Sequence, residues 1–348
     1  NVKIKRKKTL KGNYVEAFSC IYEGEGMSDI KNIQELISYL KGKGISINER
    51  IHKDALLNLG YYHAYKGCRF YYNNKNKFDL TNFSQIKAIY NFDAELKVNI
   101  YQQIMFIETA LKNHTLQTII EYGQSKSFID LYEKCFNSYQ DFLVNSDNYT
   151  YWRNEKEALK SKIRNEIEEK KKNVIISHFI DKGEEVPIWA IFEILTLGDF
   201  CLLYGCINKN LRHKISKEIK INQSFDSDSN ILLYMIRALR NLRNSVAHNN
   251  FIYDNRFNQN KVSQRIGKYL QQELTIENIN FKSIVDYIIL ISYLLKCLNV
   301  PKSEIQNFIK NFRKFANKFY NKIDSLSIYN KILPTDTKIK LTKLEQNI

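Results

Sequence analysis

Apolar residues recur at helical spacing along most of the chain. Ile33, Leu36, Ile37 and Leu40 predict a short first helix that stops at Lys41-Gly42. Asn48 is placed to cap a second, running through Ala55, Leu56, Leu57 and Leu59 to Gly60. An aromatic cluster follows at Tyr61, Tyr62 and Tyr65, and Asn73 to Asn76 reads as a loop. Thr81 or Asn82 opens a long helical region whose apolar face is Ile86, Ile89, Tyr90, Phe92, Leu96, Ile100, Ile104, Ile107, Leu111 and Leu116. A helix from roughly 94 to 122 within it would be about 40 Å long. Residues 126–144 read as helical again, and Trp152 to Phe179 continues. The charged middle of that stretch, Glu155 to Lys172, carries opposite charges at i,i+4, which fit an exposed, solvated helix. Asp181 to Val186 is a polar break, Pro187 suits the first position of the next helix, and Gly198 should end it. Further helices are expected from about Asn230 to His248, and from Ser303, as cap after Pro301, to about Ile323.

Composition strengthens this reading. The 348 residues include only 12 Gly and 3 Pro, and no proline lies between Asn1 and Val186. So few breakers argue against a sandwich or a doubly wound sheet and for an all-α architecture. The expected division is a basic arm at 1–27, a small helical region at 28–80, a multi-helix core at 81–325 with a charged insertion at about 126–180, and a tail at 326–348. The run Ile284 to Leu298 is interrupted by Asp286 and Lys296 and is too short to span a bilayer, so a buried core helix is expected. None of the six cysteines forms CxxC, which excludes a zinc ribbon, and with no leader legible reduced cytosolic thiols are expected.

The formal net charge is +16, which favours a polyanionic partner: nucleic acid first, an anionic membrane surface second. Against that background Arg243-Asn244-Ser245-Val246-Ala247-His248 stands out, with Arg237 and Arg240 just before it. Cleaving RNA without a metal needs a base for the ribose 2′-OH, a cation for the pentacoordinate phosphate and an acid for the leaving 5′-oxygen. Histidine is suited to the first or third task near neutral pH. Arginine, always charged and planar, is suited to the second. Asn244 offers an amide to orient either partner. On an ideal helix Arg243 and His248 project about 140° apart, so one helix presents both to one phosphate only if it bends or ends there. The competing reading is a basic helix end with His248 as a C-terminal cap.

Several segments in order resemble one family: Lys41-Gly-Lys-Gly-Ile-Ser-Ile47, Leu59-Gly-Tyr-Tyr62, Ile89-Tyr-Asn-Phe-Asp93, Ile107-Glu-Thr-Ala-Leu-Lys112, His178-Phe179, Pro187-Ile-Trp-Ala190, and Leu242-Arg-Asn244 with Ala247-His248. Over about residues 33–254 the chain resembles the bacterial Abi (abortive infection, AbiD/AbiF-like) proteins. That resemblance implies a HEPN-like helical bundle with additional N-terminal helices. It also implies a metal-independent ribonuclease that acts as a toxin or phage-defence protein of the bacterial cytoplasm and uses no cofactor. The implied catalytic residues are Arg243, Asn244 and His248. Such proteins generally pair two motifs in a homodimer, and some are restrained by a small noncoding RNA. This chain departs from the family pattern at Asn249, where a second His is common, at Phe251-Ile-Tyr-Asp254, and at Val246.

Other residues complete the expectations. Lys310, Lys314, Lys318 and Lys322 repeat every four residues, with Arg313 beside them, and form a row suited to tracking a phosphate backbone alongside Arg237 and Arg240. Tyr61, Tyr62 and Tyr65 suit core packing or base stacking. Asp93 and Glu108 suit structural pairing with a buried base better than a metal site. Asp226-Ser-Asp-Ser-Asn230 lacks the glycine and closing glutamate of a calcium loop and suits capping. A different functional class stays open: a non-cleaving RNA-binding protein that forms a ribonucleoprotein with a structured noncoding RNA. A protein-interaction module that oligomerises through its helices is a third reading.

Overall fold

The computed structural model describes residues 31–139, 142–144, 146–257 and 262–348. The expected basic arm at 1–27 lies outside them. Among the described residues are fifteen α-helices and one two-stranded hairpin, so the architecture is all-α as expected. No helix among them is long and apolar enough to cross a membrane. The chain divides into two compact units, with the boundary between Lys87 and Ala88.

In the first unit, α1 (Ile33–Gly42) starts from a capping box: the Asn32 side chain accepts from the N–H groups of Gln34 and Glu35, and Glu35 accepts from Asn32 N–H. Asn48 caps α2 (Glu49–Tyr61). Gly60, at φ +69°, breaks the helix and leads into one π-helical turn, Tyr62–Lys66. Strands β1 (Phe70–Tyr71) and β2 (Asn73–Lys77) pair where a loop was expected. Of the aromatic cluster, Tyr65 is buried while Tyr62 stands at the surface with Lys66 Nζ 5.1 Å from its ring centre.

One helix, α3 (Phe83–Gly123), runs 41 residues, about 60 Å, longer than the sequence spacing suggested. Ile89, Phe92, Leu96, Ile100, Ile104, Ile107 and Leu111 are buried as expected. At the last turns the face moves from Leu116 to Thr115, Thr118 and Ile119, the drift of a 3.6-residue repeat over many turns.

The second unit continues from Ala88. Residues 126–144 yield only α4 (Phe128–Cys135), after which Phe136 runs extended and bridges to Ile207. The charged stretch forms α5 (Asp147–Glu169) and α6 (Val174–Ile180). It is not wholly solvated: Lys156, Leu159, Ile163 and Glu166 form a buried stripe. Pro187 caps α7 (Ile188–Ile194), which ends before Gly198. Gly198 instead lies in the first turn of α8 (Leu197–Cys206), whose start is fixed by a Thr196–Asp199 capping box. Next come α9 (Lys209–Glu218), α10 (Ile231–Ala247), α11 (Gln264–Leu274), α12 (Ile284–Cys297) and α13 (Lys302–Ile323).

The apolar run is a core helix, and its Asp286 is met by Lys340 at 2.9 Å. Pro301 rather than Ser303 occupies the cap of α13. The expected tail forms two helices, α14 (Leu326–Ile332) and α15 (Thr337–Asn347), with Leu341 and Leu344 buried. The cysteines at 68, 135, 201, 206 and 297 are buried.

Candidate functional site

Helix α10 carries the Arg-x4-His motif. Its core face is Leu232, Met235, Ile236, Leu239, Leu242 and Ser245, three or four residues apart after the first turn. The start of the helix is held by Asp226, whose Oδ1 accepts from Asn230 N–H (2.9 Å) and Ile231 N–H (3.1 Å). The Asp226–Asn230 segment is therefore a helix-capping loop.

The end of α10 is a Schellman turn. His248 is the C-cap residue, and Asn249 adopts a left-handed φ of 54°. Asn249 N–H donates to Val246 C=O and Asn250 N–H to Ser245 C=O. The helix thus ends at the histidine. His248 is exposed.

Helix α3 meets this region at three places. Glu108 Oε2 lies 3.5 Å from Arg243 Nε, and Glu108 Oε1 accepts from Lys112 Nζ at 3.0 Å. Lys112 also donates to Leu195 C=O at 2.6 Å. Glu108 is 5% exposed while the Arg243 side chain keeps 24%. The three side chains hold two positive charges and one negative, so the cluster keeps a net positive charge.

Farther along α3, Lys97 Nζ binds Asp93 Oδ2 (2.7 Å) and donates to Asn249 Oδ1 (2.9 Å). Asp93 Oδ1 accepts from the N–H groups of Ile252 (2.7 Å) and Tyr253 (3.0 Å). Burial pushes the Asp93 carboxyl up, against the pull of Lys97 and of those two amides. Both acids are thus paired with a base. The chain is gripped by α3 on each side of His248. Asn244 sits beside Arg243, with Oδ1 3.5 Å from Nη1.

Arg237 and Arg240 do not join Arg243 at Glu108. They line an open cleft of about 310 Å³ with Arg212, Tyr151, Trp152 and Tyr234. Arg212, Tyr151 and Trp152 lie far from the motif in sequence, and nothing in the periodicity marked them. Lys97 and Lys112 were legible as i,i+4 partners of Asp93 and Glu108.

On α13, Lys310, Lys314, Lys318 and Lys322 are exposed. Lys318 pairs with Glu95, and Arg313 forms a two-pronged bridge to Glu345 (3.0 and 2.9 Å). Among the described residues no three His, Cys, Asp or Glu side chains converge as metal ligands would.

No curated protein and no solved structure matches the chain. The sequence profile of the Abi-like protein family matches residues 54–254, more than half of the chain, from the first turns of α2 to just beyond the motif. The chain belongs to the Abi-like protein family.

Proposed function

We propose that the protein is a HEPN-type endoribonuclease of phage defence, cutting RNA without a metal through Arg243 and His248. What carries this reading is the end of α10. An arginine is held from behind by the buried Glu108, and a histidine stands exposed where the helix stops.

In this mechanism the ribose 2′-oxygen attacks the adjacent phosphorus as an imidazole of His248 takes its proton. Arg243 stabilises the doubly charged phosphorane. The P–O5′ bond then breaks, and a protonated His248 from a second copy of the chain supplies the proton to the leaving oxygen. The products are a 2′,3′-cyclic phosphate and a 5′-hydroxyl. Asn244 orients the guanidinium. Arg237 and Arg240 hold the strand, with the lysine row of α13 as a second contact. Membership in the Abi-like family supports a role in abortive infection.

The second reading, a non-cleaving partner of a structured noncoding RNA, is favoured by Arg237 and Arg240, which line an open cleft apart from Arg243 and would hold a phosphate without cutting it. Cleavage of total RNA separates the two. Activity should persist in EDTA, and His248→Ala should abolish it while RNA binding remains. Loss of activity in EDTA, or full activity of the His248 variant, overturns the nuclease reading.

A further inference from the structure

The cleft formed by α5, α8, α9 and α10 contains a buried charge that no acid among the described residues meets in a salt bridge. Arg212, on α9, is 6% exposed and lines the cleft. Its Nη1 donates to Gly205 C=O at 3.2 Å, but its Nε is buried with no acceptor. Among the described residues it has no ion pair. The two nearby acids, Asp226 and Asp228, act on it only at a distance, without a salt bridge. Asp228 is held by Arg265 through two 2.6 Å hydrogen bonds, and Asp226 Oδ1 caps α10.

A guanidinium withdrawn from water without an anion is costly. Burial draws its affinity for the proton below the ordinary arginine range. Two more guanidiniums, Arg237 and Arg240, line the same cleft against one carboxylate, Glu155. Such an arrangement persists at low cost only if an anion completes it.

The aromatic residues of the lining say what kind of anion. Tyr151 is 51% exposed, and its ring meets Trp152 edge-on at 5.0 Å. Tyr234 lies one turn before Arg237 on α10, with that guanidinium 5.9 Å from its ring centre. Cations beside flat, accessible aromatic faces match a phosphate joined to a base.

We infer that this cleft is a nucleotide-binding site, in which Arg212, Arg237 and Arg240 take the phosphate and Tyr151 and Trp152 stack on the base. The site rests on the RNA reading for its place in function: Arg240 precedes Arg243 by one helical turn, so a strand seated in the cleft leads directly to the cutting motif. The nucleotide is either one unit of such a strand or a free mononucleotide.

The test uses full-length protein in the His248→Ala background, titrated by fluorescence anisotropy with a labelled single-stranded RNA 12-mer and competed with 5′-AMP or inorganic phosphate. Arg237→Gln, at an exposed position, should weaken the 12-mer about tenfold, equivalent to about 1.4 kcal/mol. Tyr151→Ala should weaken it about 5- to 150-fold, the range for one lost base stack. Arg212→Gln should act at least as strongly, and the two surface variants decide the matter if that one fails to fold. Loss of 12-mer binding assigns a unit of the strand. Binding of 5′-AMP that is lost in the same variants, with 12-mer binding intact, assigns a free nucleotide. Unchanged affinity for both probes in Arg237→Gln and Tyr151→Ala, or competition by phosphate equal to that by 5′-AMP, overturns the site. Cleavage by the same variants with His248 restored keeps this outcome separate from the nuclease reading: a raised KM with unchanged kcat is expected.

Discussion

Replacing Glu108 by glutamine removes one charge while keeping shape, and its consequence follows from the distances around it. The carboxylate lies 3.0 Å from Lys112 Nζ and 3.5 Å from Arg243 Nε. At an effective dielectric of about 20, each attraction is about 5 kcal/mol gross. Most of that is offset by the cost of holding the carboxylate out of water. Two cations would remain against an amide. Because Lys112 and Arg243 keep 15% and 24% of their side chains in solvent, part of that cost is recovered by hydration.

The expected loss in Glu108→Gln is therefore about 2 kcal/mol, below the ~3–5 kcal/mol of a fully enclosed pair. Urea unfolding of Glu108→Gln, Arg243→Gln and the double variant measures it, with a coupling of about 1 kcal/mol expected between the two positions. RNA cleavage by Glu108→Gln should fall about tenfold or more, because the amide no longer fixes the guanidinium. A stability change within 0.5 kcal/mol, together with strictly additive variants, would refute the account of Arg243 as held by Glu108.

Two further outcomes are expected. A Cβ at Gly267 would lie 2.3 Å from the backbone oxygen of Ile279, so Gly267→Ala should destabilise by about 1–3 kcal/mol in denaturant titration, and an unchanged midpoint would contradict that close approach. Burial raises the Glu166 carboxyl, but Lys162 and Lys170, each at 2.7 Å, outweigh it and hold the net value below the ordinary one. Its contribution to stability is therefore full above the unfolded value of about 4.3 and is lost as pH falls through the lower folded value. Glu166→Gln should make stability measurably flatter across that acid range, and a profile parallel to the parent would count against the assignment.

Helix positions were largely legible because long amphipathic segments announce their period, as α3 and α13 do. Boundaries were less so. Gly198 reads as a stop from its residue type alone, yet the Thr196–Asp199 capping box three residues apart makes it the opening of α8. The solvated reading of α5 missed that Lys156 lays its stem inward, with its ammonium 4.3 Å from the centre of the Tyr132 ring, a partner 24 residues away. The last two helices went unread because Pro334 divides the 24 residues after Asp324 into segments too short to declare a period.

At the site, Arg243 and His248 were visible as a motif. The carboxylate behind the arginine was visible only as one of several acids, because its pairing is a contact between helices far apart in sequence. Arg212 was invisible for the same reason: that it has no salt bridge among the described residues is a property of the packed chain.

The burial of the thiols has a consequence for how this protein meets oxidants. Loss of hydration pushes Cys135 and Cys297 up to about 11 and Cys206 to about 12, and raises Cys201 as well. At neutral pH only about one in ten thousand of the Cys135 or Cys297 sulfurs is then ionised, and only the ionised form attacks a peroxide or an alkylating reagent. These sulfurs react when the packing around them opens. Their modification is a clock for breathing of the helical core, running in every sample without a label being added.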